Sequence, residues 1–448
     1  MTNTQTYAAR PDWRVEPPVV YRWIVLFVIS LPMLGNYYIY DSINPLADIF
    51  VKQLHFSDEN IGWLNSSYSV AAVLTLLLGG IIIDRLGAKK SIALFSFLCL
   101  AGAVLTALEG SFGPMVAGRT VLGLGAESLI VAVTTALAKW FKGKELSFAF
   151  GVNLTIARLA SVAADRSPSW AGSVFYPNGP QAEPSWQGPL LIAVGAGMIC
   201  LVGAAAYWWL EDRAEARYAL GQAGAPDKLD LKQVFRFTRS YWFIVGLCLT
   251  FYSAIFPFRT FAIKFFMQTH FADLPAELAR EQAGFFNSLL PLSAMVATPL
   301  FGLLVDRIGK RALFMVFGSF LIMPVYLIMA YSGITLWVPV TLMGIAFSLI
   351  PAVMWPSVAY IVEESRLGTA YALMTLIQQM GFFALNLVIG MANDFSQASA
   401  ENPGGYAVGM WIFSVLGFLG LFFAIMLRRS EAGPGGHGLE TIRAGGGA

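Results

Sequence analysis

Two side chains of opposite charge interrupt long apolar runs near their middles: Glu127 in GLGAESLIVAV and Arg158 in LTIARLASVAA. An ionised group near the centre of a bilayer costs at least about 2.5 kcal/mol, so each asks for a partner or a water-filled cavity. A carboxylate pairs with an ammonium, and a planar guanidinium holds a carboxylate through two parallel hydrogen bonds, so the pair suits a zwitterion. Counted about 13 residues inward from Pro114, Glu127 lies roughly 20 Å below one membrane surface; counted about 13 from Glu145, Arg158 lies roughly 20 Å above the other. In a layer of about 30 Å they differ in depth by roughly 10 Å, and two extended residues span about 7 Å. With some side-chain reach, a dipeptide fits between them. The plainer alternative is that Glu127 and Arg158 neutralise each other and join their helices.

Other polar residues inside apolar runs have competing readings. Arg119, two turns before Glu127, suits a hub bonded to carbonyls of neighbouring helices. Arg259, just after Phe256-Pro257-Phe258, and Asp41, closing the run Asn36, Tyr37, Tyr38, Ile39, Tyr40, suit an outer gate, or a snorkelling cation and a polar helix end. Tyr37, Tyr68, Asn153, Phe256, Trp355 and Gln378 are candidate substrate contacts, with Asn65, Tyr252, Asn287, Gln379 and Asn386 beside them. Polar groups in membrane bundles more often bond helix to helix, and large aromatics more often pack.

These residues sit in a chain that is 57% hydrophobic and 12% charged, with mean hydropathy +0.64. No soluble domain needs that balance, and apolar runs of roughly 20 residues recur along it. The reading is an all-α polytopic membrane protein with about twelve spans, at roughly 21–47, 59–83, 91–109, 113–136, 146–168, 188–211, 240–265, 283–305, 312–331, 335–357, 368–392 and 407–428. Cations gather in alternate connections: with Arg85, Lys89 and Lys90, with Lys139, Lys142 and Lys144, with Arg307, Lys310 and Arg311, and in 212–239. On the other side only Lys52, Arg166 and Arg280 lie clearly in loops, so both termini are expected to be cytoplasmic. The stretch from Tyr21 has no small-residue cleavage site and is read as a retained span.

Hydrophobicity collapses over 212–239, which divides the chain into a segment 1–20, halves 21–211 and 240–428, and a Gly-rich tail 429–448 expected to be disordered. Each half carries one copy of a short pattern after its second span: Gly80, Asp84, Arg85, Gly87, Lys89, Lys90 and Gly302, Asp306, Arg307, Gly309, Lys310, Arg311. Its mechanical reading is a glycine that lets helices approach, an aspartate that caps the next helix, and basic residues whose ion pairs break as the halves rock. Asp84, Arg85, Asp306 and Arg307 are thus gating candidates, grouped with Arg119, Asp41 and Arg259.

This pattern, with Gly118, Arg119, Gly123, Gly125 and Glu127 on the fourth span, resembles the major facilitator superfamily, whose fold is two pseudo-symmetric six-helix halves. GRTVLGLGAES (118–128), WFKGKELSFAFG (140–151), LTIARLAS (154–161), FPF (256–258), FGLLVDRIGK (301–310), WPSVAYIV (355–362) and LGTAY (367–371) are similar to its lysosomal dipeptide uniporter subfamily. The resemblance implies dipeptide uniport, with Glu127 receiving the peptide's amino end and Arg158 its carboxylate. The chain departs from the subfamily at VAADRSPSW (162–170), where the subfamily tends to carry an asparagine.

The three cysteines, Cys99, Cys200 and Cys248, fall inside spans, and His55, His270 and His437 fall outside them. That pattern argues against a disulfide framework, a metal site or a histidine proton relay. With no P-loop and no nucleophile near a histidine, an enzyme or a primary pump is disfavoured, and no cofactor or nucleic-acid partner is expected. The alternatives are a proton-coupled carrier of small organic anions or amino acids, and a non-transporting scaffold or receptor. The first span reads NYYIYD and lacks the ExxER-type motif of proton-coupled peptide carriers, so uniport leads. Short external loops, and sequons at Asn65 and Asn153 only within spans, disfavour an accessory glycoprotein. A monomer in lipid is expected, in a bacterial inner membrane, or a lysosomal one if eukaryotic.

Overall fold

The computed structural model describes residues 16–141, 145–179, 181–218, 220, 237–433 and 435–442. Lys142, Lys144, both chain ends and most of the expected linker lie outside the described residues. The long elements are α1 (Val19–Asp41), α2 (Asp58–Leu86), α3 (Ala88–Leu108), α4 (Phe112–Phe141), α5 (Leu146–Asp165), α6 (Gln187–Arg217), α7 (Arg239–Thr269), α8 (Ala276–Ile308), α9 (Arg311–Tyr331), α10 (Trp337–Ile361), α11 (Leu367–Phe395) and α12 (Ala407–Glu431). With the bent α2 counted as one span, all twelve are long and apolar enough to cross a membrane. Helices suit that medium because each satisfies its backbone groups internally. No β-strand occurs among the described residues.

The apolar windows located the spans but not their ends. The first helix closes at Asp41, and the apolar stretch continues through a tight turn at Asn44-Pro45-Leu46 and a short helix over Ala47–Gln53. The sixth continues through Arg217, since its charged last turns are held by ion pairs. Lys139 meets Glu211 at 2.6 Å and Glu215 at 2.8 Å, while Lys89 meets Asp212 and Glu215 at 2.6 Å each. In α9 the chain breaks at Met323-Pro324 between two helical pieces.

The repeated loop pattern has a conformational cause. Gly87 and Gly309 end α2 and α8 with φ of 79° and 73°, where a side chain would be strained. The aspartate cap expected of it forms in neither copy, since neither α3 nor α9 carries a side-chain cap from its N-cap residue. Gly302 faces open space rather than a helix, and Asp306 does not cap α9 but accepts from Arg311 Nη2 at 2.7 Å. The cap comes from the tail: Leu439 O accepts from Arg311 N at 2.8 Å and Glu440 Oε1 from Leu313 N at 3.0 Å. Leu439 is fully buried, so residues 435–442 are docked where disorder was expected.

One apolar core draws on α1–α6, and a second on α7–α12 with Ala47 and Ile61. The two halves meet most closely at the end carrying Asp58, away from Asp84 and Asp306. There a Cβ on Gly62 would lie 2.4 Å from Asn386 O, and one on Gly390 would lie 2.4 Å from Asp58 O. Gly390→Leu should therefore destabilise the protein by about 1–3 kcal/mol, read as a lower unfolding temperature in detergent. An unchanged temperature would contradict the close approach of α2 and α11.

Candidate functional site

Between the halves lies a cavity of about 170 Å³, roughly ten times what one water molecule requires. Six of the eight expected substrate contacts line it: Tyr37, Tyr68, Glu127, Arg158, Phe256 and Gln378. Tyr37 comes from α1, Tyr68 from α2, Glu127 from α4 and Arg158 from α5, while Phe256 on α7 and Gln378 on α11 face them from the other half.

Glu127 and Arg158 do not neutralise each other. Glu127 Oε1 accepts from Tyr68 Oη at 3.1 Å and from Gln379 Nε2 at 2.9 Å, two neutral donors from opposite halves. The Arg158 guanidinium stands 5.8 Å from the Tyr37 ring centroid and 5.7 Å from that of Phe347. Among the described residues no carboxylate oxygen lies within 4.0 Å of it. Ring faces attract a cation without using its hydrogen-bonding fork, which stays free for a planar acceptor.

The other expected contacts point elsewhere. Asn153 donates to Ser30 Oγ at 2.9 Å, tying α5 to α1 away from the cavity. Trp355 donates to Tyr252 Oη at 2.9 Å and stands behind that wall residue rather than in the lining. Arg119 donates to Ile39 O and Tyr40 O at 3.2 Å each, to Leu64 O at 3.4 Å and to Asn65 Oδ1 at 2.6 Å. Every one of those partners belongs to its own half, so its geometry is that of a hub rather than a gate.

Toward the Asp58 end the halves are joined by buried charge. Arg259 on α7 meets Asp165 on α5 at 2.7 Å and Asp41 on α1 at 3.3 Å. Asn44 donates to both carboxylates, at 3.1 and 3.2 Å, and Asn287 on α8 adds a bond to Asp165 at 2.8 Å. Further out, Lys264 pairs with Asp58, which also accepts from Asn393 at 3.0 Å, and Arg280 bonds Tyr176 and meets Asp48 at 2.5 Å. Asp394 on α11 accepts from the Asp58 and Glu59 backbone N–H groups at 2.8 Å each, capping α2 from the opposite half.

Sequence reasoning named Asp41 and Arg259 but missed Asp165, Asp58, Lys264 and Asp48, and placed Arg280 in a loop. Their signal was only a set of opposite charges within a turn or two of span ends. At the other end Asp84, Arg85 and Arg307 are exposed, and among the described residues no ion pair joins the two patterned loops. No group of three or more His, Cys, Asp or Glu side chains is placed to hold a metal among the described residues.

Twelve spans in two six-helix halves, with a polar cavity between them, define a membrane carrier rather than an enzyme. The chain belongs to the Major Facilitator Superfamily, whose model matches residues 26–384 and again 260–441. Lysosomal dipeptide transporter MFSD1 of Danio rerio is 31% identical over 381 residues, covering 84% of this chain and 81% of that protein. The Homo sapiens protein of the same name is 30% identical over the same length and shares of coverage. The fold is similar to a crystal structure of a bacterial homologue of the human lysosomal transporter Spinster, with TM-score 0.71, 16% identity, and coverage of 92% of this chain and 98% of that one.

Arg259→Ala leaves two carboxylates buried without their cation and should cost about 3–5 kcal/mol. Adding Asp165→Asn should recover part of that loss in a double-mutant cycle read by unfolding in detergent. A double variant no more stable than Arg259→Ala would contradict the coupling.

Proposed function

We propose that this carrier moves dipeptides by alternating access as a uniporter, with Glu127 receiving the peptide's ammonium and Arg158 its carboxylate. The observation that carries this reading is one cavity holding two opposite charges that do not pair with each other. Identity of about 30% over 84% of the chain to lysosomal dipeptide transporters supports the same substrate class. The cation-rich loops at the Asp84 end favour both termini on the cytoplasmic side, with 21–211 and 240–428 moving as the two bodies.

In this arrangement ion pairs join the halves at the Asp58 end and none does so among the described residues at the Asp84 end, which on this orientation corresponds to an inward-facing form. A zwitterion arriving from that side satisfies both cavity charges at once, so the loaded cavity can close without stranding an unpaired ion. Closure brings the loops of Asp84, Arg85, Asp306 and Arg307 together, while the Arg259, Lys264 and Arg280 pairs separate and become hydrated. An empty carrier can return if Glu127 and Arg158 pair transiently, the peptide then replacing an internal bond.

In liposomes the protein should equilibrate a labelled dipeptide at a level indifferent to an imposed pH gradient. Arg158→Ala should weaken peptide binding by at least about thirtyfold, because truncating a buried charge-assisted contact costs roughly 2–5 kcal/mol. Accumulation above equilibrium driven by the pH gradient would contradict uniport, and undiminished binding by Arg158→Ala would contradict the clamp.

A further inference from the structure

Arg158 belongs to two cavities. Besides the one it shares with Glu127, it lines a second of about 130 Å³ between α5, α8 and α10, with Tyr252 common to both. Of the two rings flanking its guanidinium, Tyr37 lines the first cavity and Phe347 the second, so the cation stands at the passage between them. The second cavity is walled by Leu154, Ala294, Met295, Pro299, Phe347 and Pro351. Arg158 is the one charged side chain among the described residues that line it.

We infer that this second cavity is a side-chain subsite that reads the C-terminal residue of the peptide and selects a bulky apolar group there. The inference rests on the reading that Arg158 holds the substrate's carboxylate. The Cα that bears the carboxylate also bears the side chain, so wherever the carboxylate docks, that side chain begins within two bonds of it. The peptide bond and the first residue must run from Arg158 toward Glu127 and occupy the first cavity. The C-terminal side chain is thereby directed to the other side of the guanidinium, into the second.

The lining there is mainly apolar. Thr155, Thr298 and Tyr252 bring hydroxyl groups to the lining, but the aliphatic, proline and phenyl walls predominate and reward apolar area, and the flexible thioether of Met295 adapts to different shapes. A cationic side chain would sit beside Arg158 with no carboxylate in the lining to offset the repulsion. The N-terminal residue, by contrast, meets Asn36, Tyr40, Gln378 and Gln379. The site therefore distinguishes the two positions of a dipeptide rather than its overall hydrophobicity.

Order isomers test this directly, because Gly-Phe and Phe-Gly share composition, charge and length. Binding to the purified full-length protein should favour Gly-Phe over Phe-Gly by about tenfold, and Lys-Gly over Gly-Lys. Met295→Trp, which fills the subsite, should erase the Gly-Phe advantage. The wild-type isomer ratio needs no variant, so a poorly folding Met295→Trp would not shelter the proposal. Equal affinities for the isomers, or a preference for Phe-Gly, would overturn the subsite while leaving dipeptide transport standing. Failure of Gly-Gly and both isomers to bind at all would overturn the dipeptide reading and the subsite with it.

Discussion

An ion in hydrocarbon must be paired or wetted, and the rest of this molecule follows from how its charges meet that demand. Arg119, Arg259, Lys264 and Arg280 are each almost wholly buried and each has carboxylates or carbonyls in hydrogen-bond contact. Among the described residues Arg158 has only ring faces beside it, and Glu127 only neutral donors. The division separates the charges already satisfied within the protein from those left open for something else.

On the proposed alternating-access reading, the pairs at the Asp58 end also suit a gate that opens. A buried ion pair gains strongly from mutual attraction yet gives up much hydration, so its net contribution is small compared with its parts. When water enters as the halves separate, each ion recovers hydration for the partner it loses. Layers of such pairs, at Arg259, Lys264 and Arg280, can thus be specific in register without fixing the protein in one state. Capping of α2 by Asp394 across the interface works in the same way, since freed N–H groups find water at the membrane surface.

The sequence made the spans legible because lipid imposes a length, and made Glu127 and Arg158 legible as candidates because a charge mid-span demands a partner or water. It concealed what depends on distant partners. Asp165 and Arg259 are 94 residues apart, and Asp58 and Lys264 are 206 apart. Each alone looks like a polar helix end. Asn153 could not be told from a cavity residue, because the helical face turned toward Ser30 is set by packing rather than by residue type. Leu439 was hidden by the glycines around it, whose composition suggests disorder although one apolar side chain anchors the segment.

The central claim, that Glu127 and Arg158 are held open for the two ends of one peptide, is tested most directly by blocking those ends separately. Free, N-acetylated and C-amidated forms of one dipeptide would be titrated against wild type, Glu127→Gln and Arg158→Ala. Acetylation should cost wild type at least about thirtyfold and cost Glu127→Gln little, while amidation should behave likewise toward Arg158→Ala. Blocked peptides that bind wild type as tightly as the free dipeptide would show the two charges to be structural and contradict the account.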